Sequence, residues 1–465
     1  MPPEPDTLFV SVFQSLSLLR GHVVLVARFQ IKPLPSSHVL ISLPLGHLHC
    51  AQWSPDYAGI VFWLWFWFFI NILMIVSDVA WWVVAMRLTN RRLWRVLVSV
   101  FIGGQLAAHL SAMAGSEWPS HVPKAVLVSA VVWHYGALGL AFAVLLPLGI
   151  VRAWAWMTRR IARVRGVQRN RPAAAAASVN SPTRREFIGA VAALAPPLFT
   201  VGLTGVALAQ LNHFRVRRFT LSIRTLPRAL DGITIAHVTD MHVGGVTSAR
   251  VLREMVNATN ALRADLVLLT GDLINYELAE LSEGIALVKA MEGRYGLWTI
   301  EGNHDLAVDG GEFERRVKAA GVPLLLDESA VANVRGYPVQ IFGLRWMDGS
   351  AGQRDRVTAM QVRDVLKQRH PDAFPVLLAH HPHAFDAAVK ADLPLTLAGH
   401  THGGQFMFDR QHGLGPAMFR YWSGLYARGR SQMIISNGVG NWLPIRINAP
   451  AEIVHITLRC AGTHG

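Results

Sequence analysis

Apolar residues are distributed differently in the two halves of this chain of 465 residues. In the first half they form long uninterrupted stretches, whereas in the second half they form short runs separated by polar segments. The long stretches are Gly59–Met86, Val96–Ala114, Ala125–Val151 and Phe187–His213. Each is near or above the roughly 20 residues that an α-helix needs to cross a bilayer. The first half therefore predicts a bundle of about four transmembrane helices, and four buried helices of a soluble protein are a poorer explanation.

The second half alternates short apolar runs with amphipathic segments. Five runs predict strands: Ile233–Ala236, Leu266–Leu269, Leu297–Ile300, Val376–Ala379 and Leu395–Ala398. The helices predicted around them are Ser248–Arg263, Leu278–Met291, Glu312–Ala320, Val357–Gln368 and Ala384–Val389. Further strands are predicted at Phe219–Ile223, Val339–Gly343, Met433–Ser436 and Ile453–Leu458. This alternation indicates a layered α/β domain with mixed sheets.

The positive charge of the chain lies in its apolar half. The formal net charge is +14, but residues 1–230 carry 22 Lys and Arg against 6 Asp and Glu, whereas residues 231–465 carry 22 against 24. A protein that binds nucleic acid is expected to carry a basic patch on its folded domain. We therefore predict no nucleic-acid partner, and the partner that the apolar half indicates is the lipid bilayer.

Arginines predict the orientation of the spans, because cytoplasmic loops are enriched in Lys and Arg. Four arginines lie between the first two stretches, and nine lie in the segment 152–186 before the fourth. With both segments in the cytoplasm, the globular part lies outside. This predicts a multi-pass protein of the bacterial inner (cytoplasmic) membrane with an extracytoplasmic domain. Arg215, Arg217 and Arg218 are basic on that outer side and weaken the assignment.

The pair Arg184–Arg185 allows two interpretations of the fourth stretch. Two arginines before an uncharged apolar run resemble a twin-arginine export signal, which would make the export machinery a partner. The alternative is two ordinary cytoplasmic arginines, and both interpretations place the globular part outside. The predicted division is 1–58 of unknown structure, 59–151 with three spans, 152–186 as basic linker, 187–213 as fourth span or signal segment, and 214–465 as the globular domain.

Five polar motifs follow the five predicted strands. They are Asp240-Met241-His242, Gly271-Asp272, Gly302-Asn303-His304-Asp305, His380 followed by Pro382, and Gly399-His400-Thr401-His402. Because ligands collect at the carboxyl ends of strands in open α/β sheets, we expect the motifs to converge on one site. Their Asp, Asn and His side chains offer the mixed nitrogen and oxygen ligands that suit Mn²⁺, Fe²⁺ or Zn²⁺, and the lack of thiolates disfavours a structural zinc site.

Two such ions would explain the combination of residues. A metal pair about 3.5–4 Å apart can activate a bridging hydroxide and hold a phosphate for in-line displacement. Asp272 could bridge the ions because a carboxylate has two oxygens. His304 is the natural donor to the phosphoryl oxygens and to the leaving group, and we expect Asp305 to fix its tautomer.

These motifs resemble the pattern of the calcineurin-like metallophosphoesterase superfamily, which is D-x-H, G-D, G-N-H-D/E, an isolated His and G-H-x-H. The resemblance covers about Thr234–Gly404, and all five motifs are intact. It implies an α/β fold in which a β-sandwich is flanked by helices, with the catalytic domain at residues 214–465. The implied ligands are Asp240, His242, Asp272 and His402 for one metal, and Asp272, Asn303, His380 and His400 for the other. His304 would contact the phosphate.

Within the superfamily, the chain departs from the Ser/Thr protein phosphatases, because Gly271-Asp272 is not followed by the Arg of that branch. Gly399–Gln405, together with Pro444-Ile-Arg446, resembles a membrane-associated bacterial branch. That branch includes twin-arginine-exported phosphoesterases and enzymes similar to UDP-2,3-diacylglucosamine pyrophosphatases. We predict a membrane-anchored phosphodiesterase or pyrophosphatase acting on lipid-linked or nucleotide-linked substrates, with a role in lipid metabolism. The alternatives are a phosphomonoesterase, or a membrane sensor or transport partner with a non-catalytic metal domain.

A few residues outside the motifs are also candidates for function. Arg446 and Arg345 could contact phosphate; for Arg446 a solvated surface arginine is an equal alternative, and for Arg345 it is the favoured one. Asp78 and His134 lie inside apolar stretches, where ionisable residues indicate function by default. The alternative for Asp78 is that it lies near the end of a span and snorkels to the surface.

Overall fold

The computed structural model describes residues 13–19, 22–28, 41–42, 55–89, 91–114, 123–138, 149–151, 153–161, 184–347, 351–409 and 411–461. Contacts divide the chain into two compact units. The catalytic half, Ala207–Gly465, belongs to the first unit, together with Met1–Leu16 and Leu25–Ile41. Ser42–Val206 and Ser17–Val24 form the second. The sequence leaves the structure of residues 1–58 open, and of residues 1–54 the structure describes only β1 (Phe13–Leu19), β2 (His22–Arg28) and β3 (Ile41–Ser42).

Apolar helices dominate the second unit. They are α1 (Pro55–Leu88), α2 (Arg92–Ala114), α3 (Lys124–Val132), which continues as a π-helix over Trp133–Ala137, and α4 (Arg184–Leu211), whose last residues belong to the first unit. Residues 149–151 and 153–161 are also helical. A buried cluster of Trp81, Val98, Trp133 and Ala193 shows that all four helices pack together.

Three segments of these helices are long and apolar enough to cross a membrane: Phe68–Leu88, Arg92–Ser111 and Phe187–Leu211. Their outward side chains are large and apolar, as a lipid-facing surface requires, and Val100 is 68% exposed. The predicted stretch Ala125–Val151 includes residues 139–148, which lie outside the described residues. That span, and with it the bundle of four, stays a prediction.

Two mixed sheets with helices on their outer faces form the first unit. Its elements are β4 (Phe214–Ile223), β5 (Thr234–Val238), α5 (Ala249–Ala261), β6 (Leu266–Thr270), α6 (Leu281–Lys289), β7 (Leu297–Ile300), α7 (Gly310–Ala319), β8 (Glu328–Val334), β9 (Tyr337–Gly343), α8 (Ala351–Val365), β10 (Phe374–Leu378), α9 (Ala384–Lys390), β11 (Leu395–Ala398), α10 (Leu414–Met418), β12 (Gly424–Arg428), β13 (Ser431–Ile435) and β14 (Ala451–Cys460). The sheet orders are β4-β14-β5-β6-β7 and β12-β13-β11-β10-β9-β8.

The alternation of side chains along the strands determines where the core lies. Leu266 and Leu268 of β6 pack in the layer between the two sheets, whereas Val267 and Leu269 pack against α5, α6 and α7. On the other sheet, Leu377 of β10 packs against α8 and α9. The predicted sandwich of mixed sheets flanked by helices is therefore confirmed.

The five strands that precede the motifs are all present, with bounds within two residues of the prediction. Strands β5, β6 and β7 are parallel, and so are β9, β10, β11 and β13, so their carboxyl ends gather at one edge of each sheet. The sequence did not predict β8 and β12. Both are edge strands with largely exposed residues, so neither has the apolar run that marks a buried strand.

Candidate metal centre

The five motifs lie in the loops that follow β5, β6, β7, β10 and β11. Five of their polar residues have positive φ angles, between 41° and 73°: Asp240, His242, Asp272, His400 and His402. Non-glycine residues rarely adopt this conformation, and backbone strain of this kind concentrates at active sites. The loops therefore hold these side chains in positions that local backbone preference alone would not favour.

Two motif glycines explain how the loops come so close. A Cβ atom at Gly302 would collide with Oδ1 of Asp272, and one at Gly399 would collide with Oδ2 of Asp240. Only a residue without a side chain leaves room for these carboxylates. The glycines thus bring loops from different strands to one point.

One group of side chains, here called the inner cluster, consists of Asp240, His242 and His402. The Nε2 atoms of His242 and His402 are 3.0 Å apart, and Nε2 of His402 lies 3.3 Å from Oδ1 of Asp240. All three residues are buried. Their potential ligand atoms lie within 4.8 Å of one another.

The second group, here called the outer cluster, consists of Asn303, His380 and His400. Nδ1 of His400 lies 2.9 Å from Oδ1 of Asn303 and 3.3 Å from Nε2 of His380. Asn303 and His400 are partly exposed, so this cluster borders the surface. Asp272 joins the clusters, since its Oδ2 atom is 3.1 Å from Nε2 of His380 and 3.6 Å from Nε2 of His242.

The donor atoms suit divalent metal ions. Nδ1 of His380 lies 2.6 Å from the carbonyl oxygen of Thr270 and donates to it, so its Nε2 atom is free to present a lone pair. An orienting hydrogen bond of this kind is usual for a metal-binding histidine. Carboxylate oxygens and imidazole nitrogens crowd together in a buried space, where they repel one another unless a cation or protons lie between them.

Electrostatics points to the same conclusion. Burial raises the pKa of Asp240 to about 7. Burial alone would lower the pKa of His380, but the carboxylates of Asp272 and Asp240 outweigh it and raise the pKa to about 9. Protons therefore occupy part of the centre near neutral pH when no cation does, and a divalent ion would replace them.

His304 lies beside the inner cluster. Its ring centroid is 4.5 Å from that of His242, and one of its ring nitrogens lies within 4.8 Å of ligand atoms of His242 and Asp272. Nδ1 of His304 lies 2.6 Å from the backbone carbonyl oxygen of Asn275. Because that oxygen can only accept, it fixes the ring with its proton on Nδ1.

The expectation that Asp305 sets this tautomer is wrong. Oδ1 of Asp305 accepts hydrogen bonds from the backbone nitrogens of Leu273 and Ile274, and Oδ2 accepts from that of Gly302. The carboxylate therefore ties the loop after β7 to the loop after β6. Asp305 supports the position of Asp272 and Asn303 rather than taking part in proton transfer.

Arg446 is completely buried. It therefore cannot make the contact with substrate that was expected from the sequence. Its Nη2 atom lies 3.1 Å from Nδ1 of His402, and its Nε atom donates to Oδ1 of Asn441 over 2.6 Å. Its remaining hydrogen bonds go to the backbone carbonyls of Asn437, Gly438, Gly440 and Ala449. Asn441 in turn donates to the carbonyl of Leu211, the last residue of α4. Arg446 therefore holds His402 in place from behind.

The other candidate arginine, Arg345, is paired with acidic residues. Its Nη1 atom lies 2.5 Å from Glu314 and 3.8 Å from Glu301. Arg354 on α8 places another guanidinium near the outer cluster, since its Nη1 atom is 2.9 Å from Nε2 of His381. The ring of His381 is 5.0 Å from that of His400.

Aromatic rings surround the centre and were not foreseen from the sequence. Trp346 and Phe419 lie 5.1 and 5.9 Å from the ring of His400, and Tyr276 and Trp442 lie 4.7 and 6.3 Å from that of His304. Only folding brings these four residues together, and none belongs to a motif. The ring of His383, which flanks His380, lies edge-on to that of His381 with centroids 4.2 Å apart.

The fold and the side chains at its strand ends resemble those of calcineurin-like phosphoesterases. The family model for calcineurin-like phosphoesterases matches residues 233–404, so this half of the chain contains a calcineurin-like metallophosphoesterase domain. A Danio rerio protein named as a transmembrane protein with metallophosphoesterase domain is 28% identical over 249 residues, which are 52% of this chain and 56% of that protein. The chain thus matches little more than half the length of that relative.

Two further proteins are similar to part of this chain. An uncharacterised metallophosphoesterase of Bacillus subtilis is 27% identical over 303 residues, 60% of this chain and 98% of that protein. A crystal structure of a Thermus thermophilus protein is 12% identical, with a TM-score of 0.32, and the match covers 45% of this chain and 90% of that one. So low a TM-score carries no argument about function.

Proposed function

We propose that this protein is a membrane-anchored phosphodiesterase or pyrophosphatase whose centre binds two divalent metal ions. The observation that carries the proposal is the position of Asp272. One of its oxygens faces both His242 and His380, so a single carboxylate serves both clusters. The inner cluster with Asp272 would hold one ion, and the outer cluster with Asp272 would hold the other, with Mn²⁺, Fe²⁺ or Zn²⁺ as candidates.

The residues around the ions divide the chemical work. When bound, the metal pair supplies the Lewis acidity that activates water and stabilises charge on the phosphoryl oxygens. His304 is placed to pass a proton to the leaving oxygen, and its orientation is fixed by Asn275. Burial lowers the pKa of His304, although Asp272 opposes this effect. A protonated His304 is therefore a stronger acid than an ordinary histidine, which favours donation to the leaving group.

Two features favour a diester over a monoester. Trp346 and Phe419 lie beside His400 of the outer cluster, and Tyr276 and Trp442 lie beside His304, which suits a phosphate with an organic group on each side. A monoester dianion needs more positive charge around it, but Arg446 and Arg345 are committed to internal partners.

The alternative activity is a phosphomonoesterase, and Arg354 beside His381 is the observation that favours it. A non-catalytic sensor or transport partner is supported less well. A domain that has lost catalysis is expected to lose ligands, yet all seven side chains assigned to the metals are present and face one another.

We also propose that the anchor lies in the bacterial inner membrane, with the catalytic domain on the extracytoplasmic side. The three apolar helices support membrane association. Arg215 and Arg217, which argue against this orientation, both pair with the buried Glu452, so one of their two positive charges is neutralised within the domain. A lipid-linked phosphodiester is then the natural substrate class, because anchoring raises its local concentration. Export through the twin-arginine route remains part of this proposal.

The test is turnover by the full-length protein in detergent micelles, with bis(p-nitrophenyl) phosphate and p-nitrophenyl phosphate compared, with and without Mn²⁺. We expect metal-dependent cleavage that is faster for the diester. His304→Gln should lower kcat by about 10²–10⁴-fold, the usual contribution of acid–base catalysis, and leave metal content unchanged. His412→Gln, on an exposed loop, serves as the matched control.

Each contrary outcome has a distinct meaning. Faster cleavage of the monoester would favour the alternative activity. Turnover that persists after chelation of metal, or a fully active His304→Gln variant, would refute the proposed chemistry. A folded, metal-loaded protein that cleaves neither substrate would favour the non-catalytic alternative.

A further inference from the structure

A buried carboxylate lies in the middle of the first apolar helix segment. Asp78 belongs to α1, ten residues from each end of Phe68–Leu88, and is 0% exposed. Its Oδ1 atom accepts a hydrogen bond from Nε1 of Trp133 over 2.6 Å, and its Oδ2 atom lies 3.0 Å from Nε2 of His134. Both oxygens face inward, so Asp78 does not snorkel to the surface. An ionisable group in this position is costly and usually functional.

The hydrogen bonds of His134 show that the pair contains a proton. Nδ1 of His134 lies 2.8 Å from the carbonyl oxygen of Ala130, which can only accept, so Nδ1 carries a hydrogen. The contact between Nε2 and Oδ2 of Asp78 must then contain a second hydrogen. Without it, two lone pairs would face each other at 3.0 Å in a buried place. The pair is therefore neutral overall, whether the proton is on the imidazole or on the carboxyl.

A second histidine lies next to this pair with an unused nitrogen. The ring of His109, on α2, is stacked on that of His134 with centroids 4.5 Å apart. His109 is only 9% exposed, and its Nε2 atom has no hydrogen-bond partner among the described residues. Gln105, one turn earlier on α2, donates to Ser129 while its own carbonyl oxygen lacks a described partner. Buried acceptors that lack donors are rare and call for an explanation.

Three helical segments each supply one titratable group to this cluster. Asp78 comes from α1, His109 from α2, and His134 from the π-helix that follows α3. The fourth packed helix, α4, contributes the apolar Ala193 and Leu194. π-Helical turns are rare in proteins, but those that occur are often found at functional sites. Here it contains both consecutive residues, Trp133 and His134, that bind the carboxylate.

We propose that Asp78, His134 and His109 form a reversible proton-binding site within the helical unit. One proton is held between Asp78 and His134. A further proton taken up from water binds Nε2 of His109, and the proton released from the contact between Nε2 of His134 and Oδ2 of Asp78 returns to water. This proposal is independent of the phosphoesterase activity, since it rests on residues of the second unit alone.

The competing explanation is a permanent ion pair that only fastens the helices together. Such a pair would keep its proton at every pH at which the protein remains folded. Nε2 of His109, which has no partner in the part of the chain that the structure describes, has no role in that explanation, because a fastening contact needs Asp78, Trp133 and His134 alone. Titration separates the two explanations.

The experiment is infrared difference spectroscopy of the full-length protein in lipid nanodiscs. Spectra of the wild type minus Asp78→Asn isolate the bands of this carboxyl group, and they are followed from about pH 5 to about pH 9, which brackets the range in which histidine changes charge. We expect these bands to titrate. His109→Gln should move the midpoint by about one pH unit, a typical effect of one neighbouring ionisable group, whereas His412→Gln should leave it unchanged.

Two results would overturn the proposal. One is a set of Asp78 bands that stays constant across the range in folded protein, and the other is a midpoint that His109→Gln does not move. If Asp78→Asn fails to fold, Trp133→Phe assigns the bands instead, because it removes only the hydrogen bond to Oδ1 and should shift the carboxyl frequency. The titration is then compared between the wild type and His109→Gln.

Discussion

The inner and outer clusters share Asp272 but differ in their surroundings. Asp240, His242 and His402 are buried, and Arg446 fixes His402 from the protein interior. Asn303 and His400 instead reach the surface, and Trp346 and Phe419 lie next to the ring of His400. The inner cluster is therefore part of the folded core, whereas the outer cluster borders the surface through Asn303 and His400. We infer that the fold determines metal affinity mainly at the inner cluster and substrate choice mainly around the outer cluster.

The largest expected effect comes from Asp272→Asn, because this change removes the only negative charge common to both clusters. Turnover of the diester should fall by more than about 1000-fold, the upper range for loss of one preorganised electrostatic group. Metal content, measured by mass spectrometry of the purified protein, should fall at both clusters. Asp409→Asn, an exposed carboxylate paired with His412, is the matched control. Retention of one tightly bound ion would show that the clusters are more independent than we infer.

The second prediction separates the clusters. In Arg446→Lys, a single ammonium cannot replace the planar guanidinium that contacts His402 and Asn441 together. Metal affinity at the inner cluster should fall by about 10–100-fold, the usual cost of losing a residue that orients a ligand, while one ion stays bound at the outer cluster. Calorimetric titration with Mn²⁺ measures both sites. Arg345→Lys, which changes a partly exposed ion pair with Glu314, should alter neither.

Arg446 also shows what the sequence could and could not predict. The residues that could hold a metal were predictable, because each follows an apolar strand and belongs to a short motif. The role of Arg446 was not, because most of its partners are backbone carbonyls, which leave no trace in the residue pattern. The same reason explains the error at His304, whose partner is the carbonyl of Asn275 rather than the side chain of Asp305. Asp78 was predicted as a candidate, but its contact with His134 depends on helix packing.

A third prediction concerns the loops that hold the clusters together. In Asp305→Asn, an amide NH₂ group replaces one oxygen of the carboxylate. This group cannot accept the hydrogen bond that a backbone N–H donates to that oxygen in the wild type, so one buried hydrogen bond is lost. The free energy of unfolding should fall by about 1–3 kcal/mol, the cost of leaving a buried polar group unpaired. Denaturant unfolding of the metal-free protein measures it. Asp309→Asn is the matched control, because Asp309 caps α7 and Asn caps helices equally well.

The smallest expected effect is a change in the protons released when metal binds. In the metal-free protein, the pKa of Asp240 is about 7, raised by burial, and that of His380 is about 9, raised by the nearby carboxylates against the effect of burial. A proton on either ligand competes with the metal, so apparent affinity must fall as the pH falls. Asp240 belongs to the inner cluster and His380 to the outer cluster. The change in proton release near pH 7 therefore reports mainly on the inner cluster, and the change near pH 9 mainly on the outer cluster.

Below pH 7, binding of two ions should release nearly two protons from Asp240 and His380 together. Between pH 7 and pH 9, binding should release about one proton, from His380. Above pH 9, it should release almost none. Calorimetry in buffers of different ionisation enthalpy counts these protons directly. In Arg446→Gln, loss of a positive charge near Asp240 should raise the pKa of that carboxyl group and move the step near pH 7 to higher pH, with a smaller effect on the step near pH 9. If both steps moved together, the carboxylate of Asp272 would couple the clusters strongly, and the division into an inner and an outer cluster would fail.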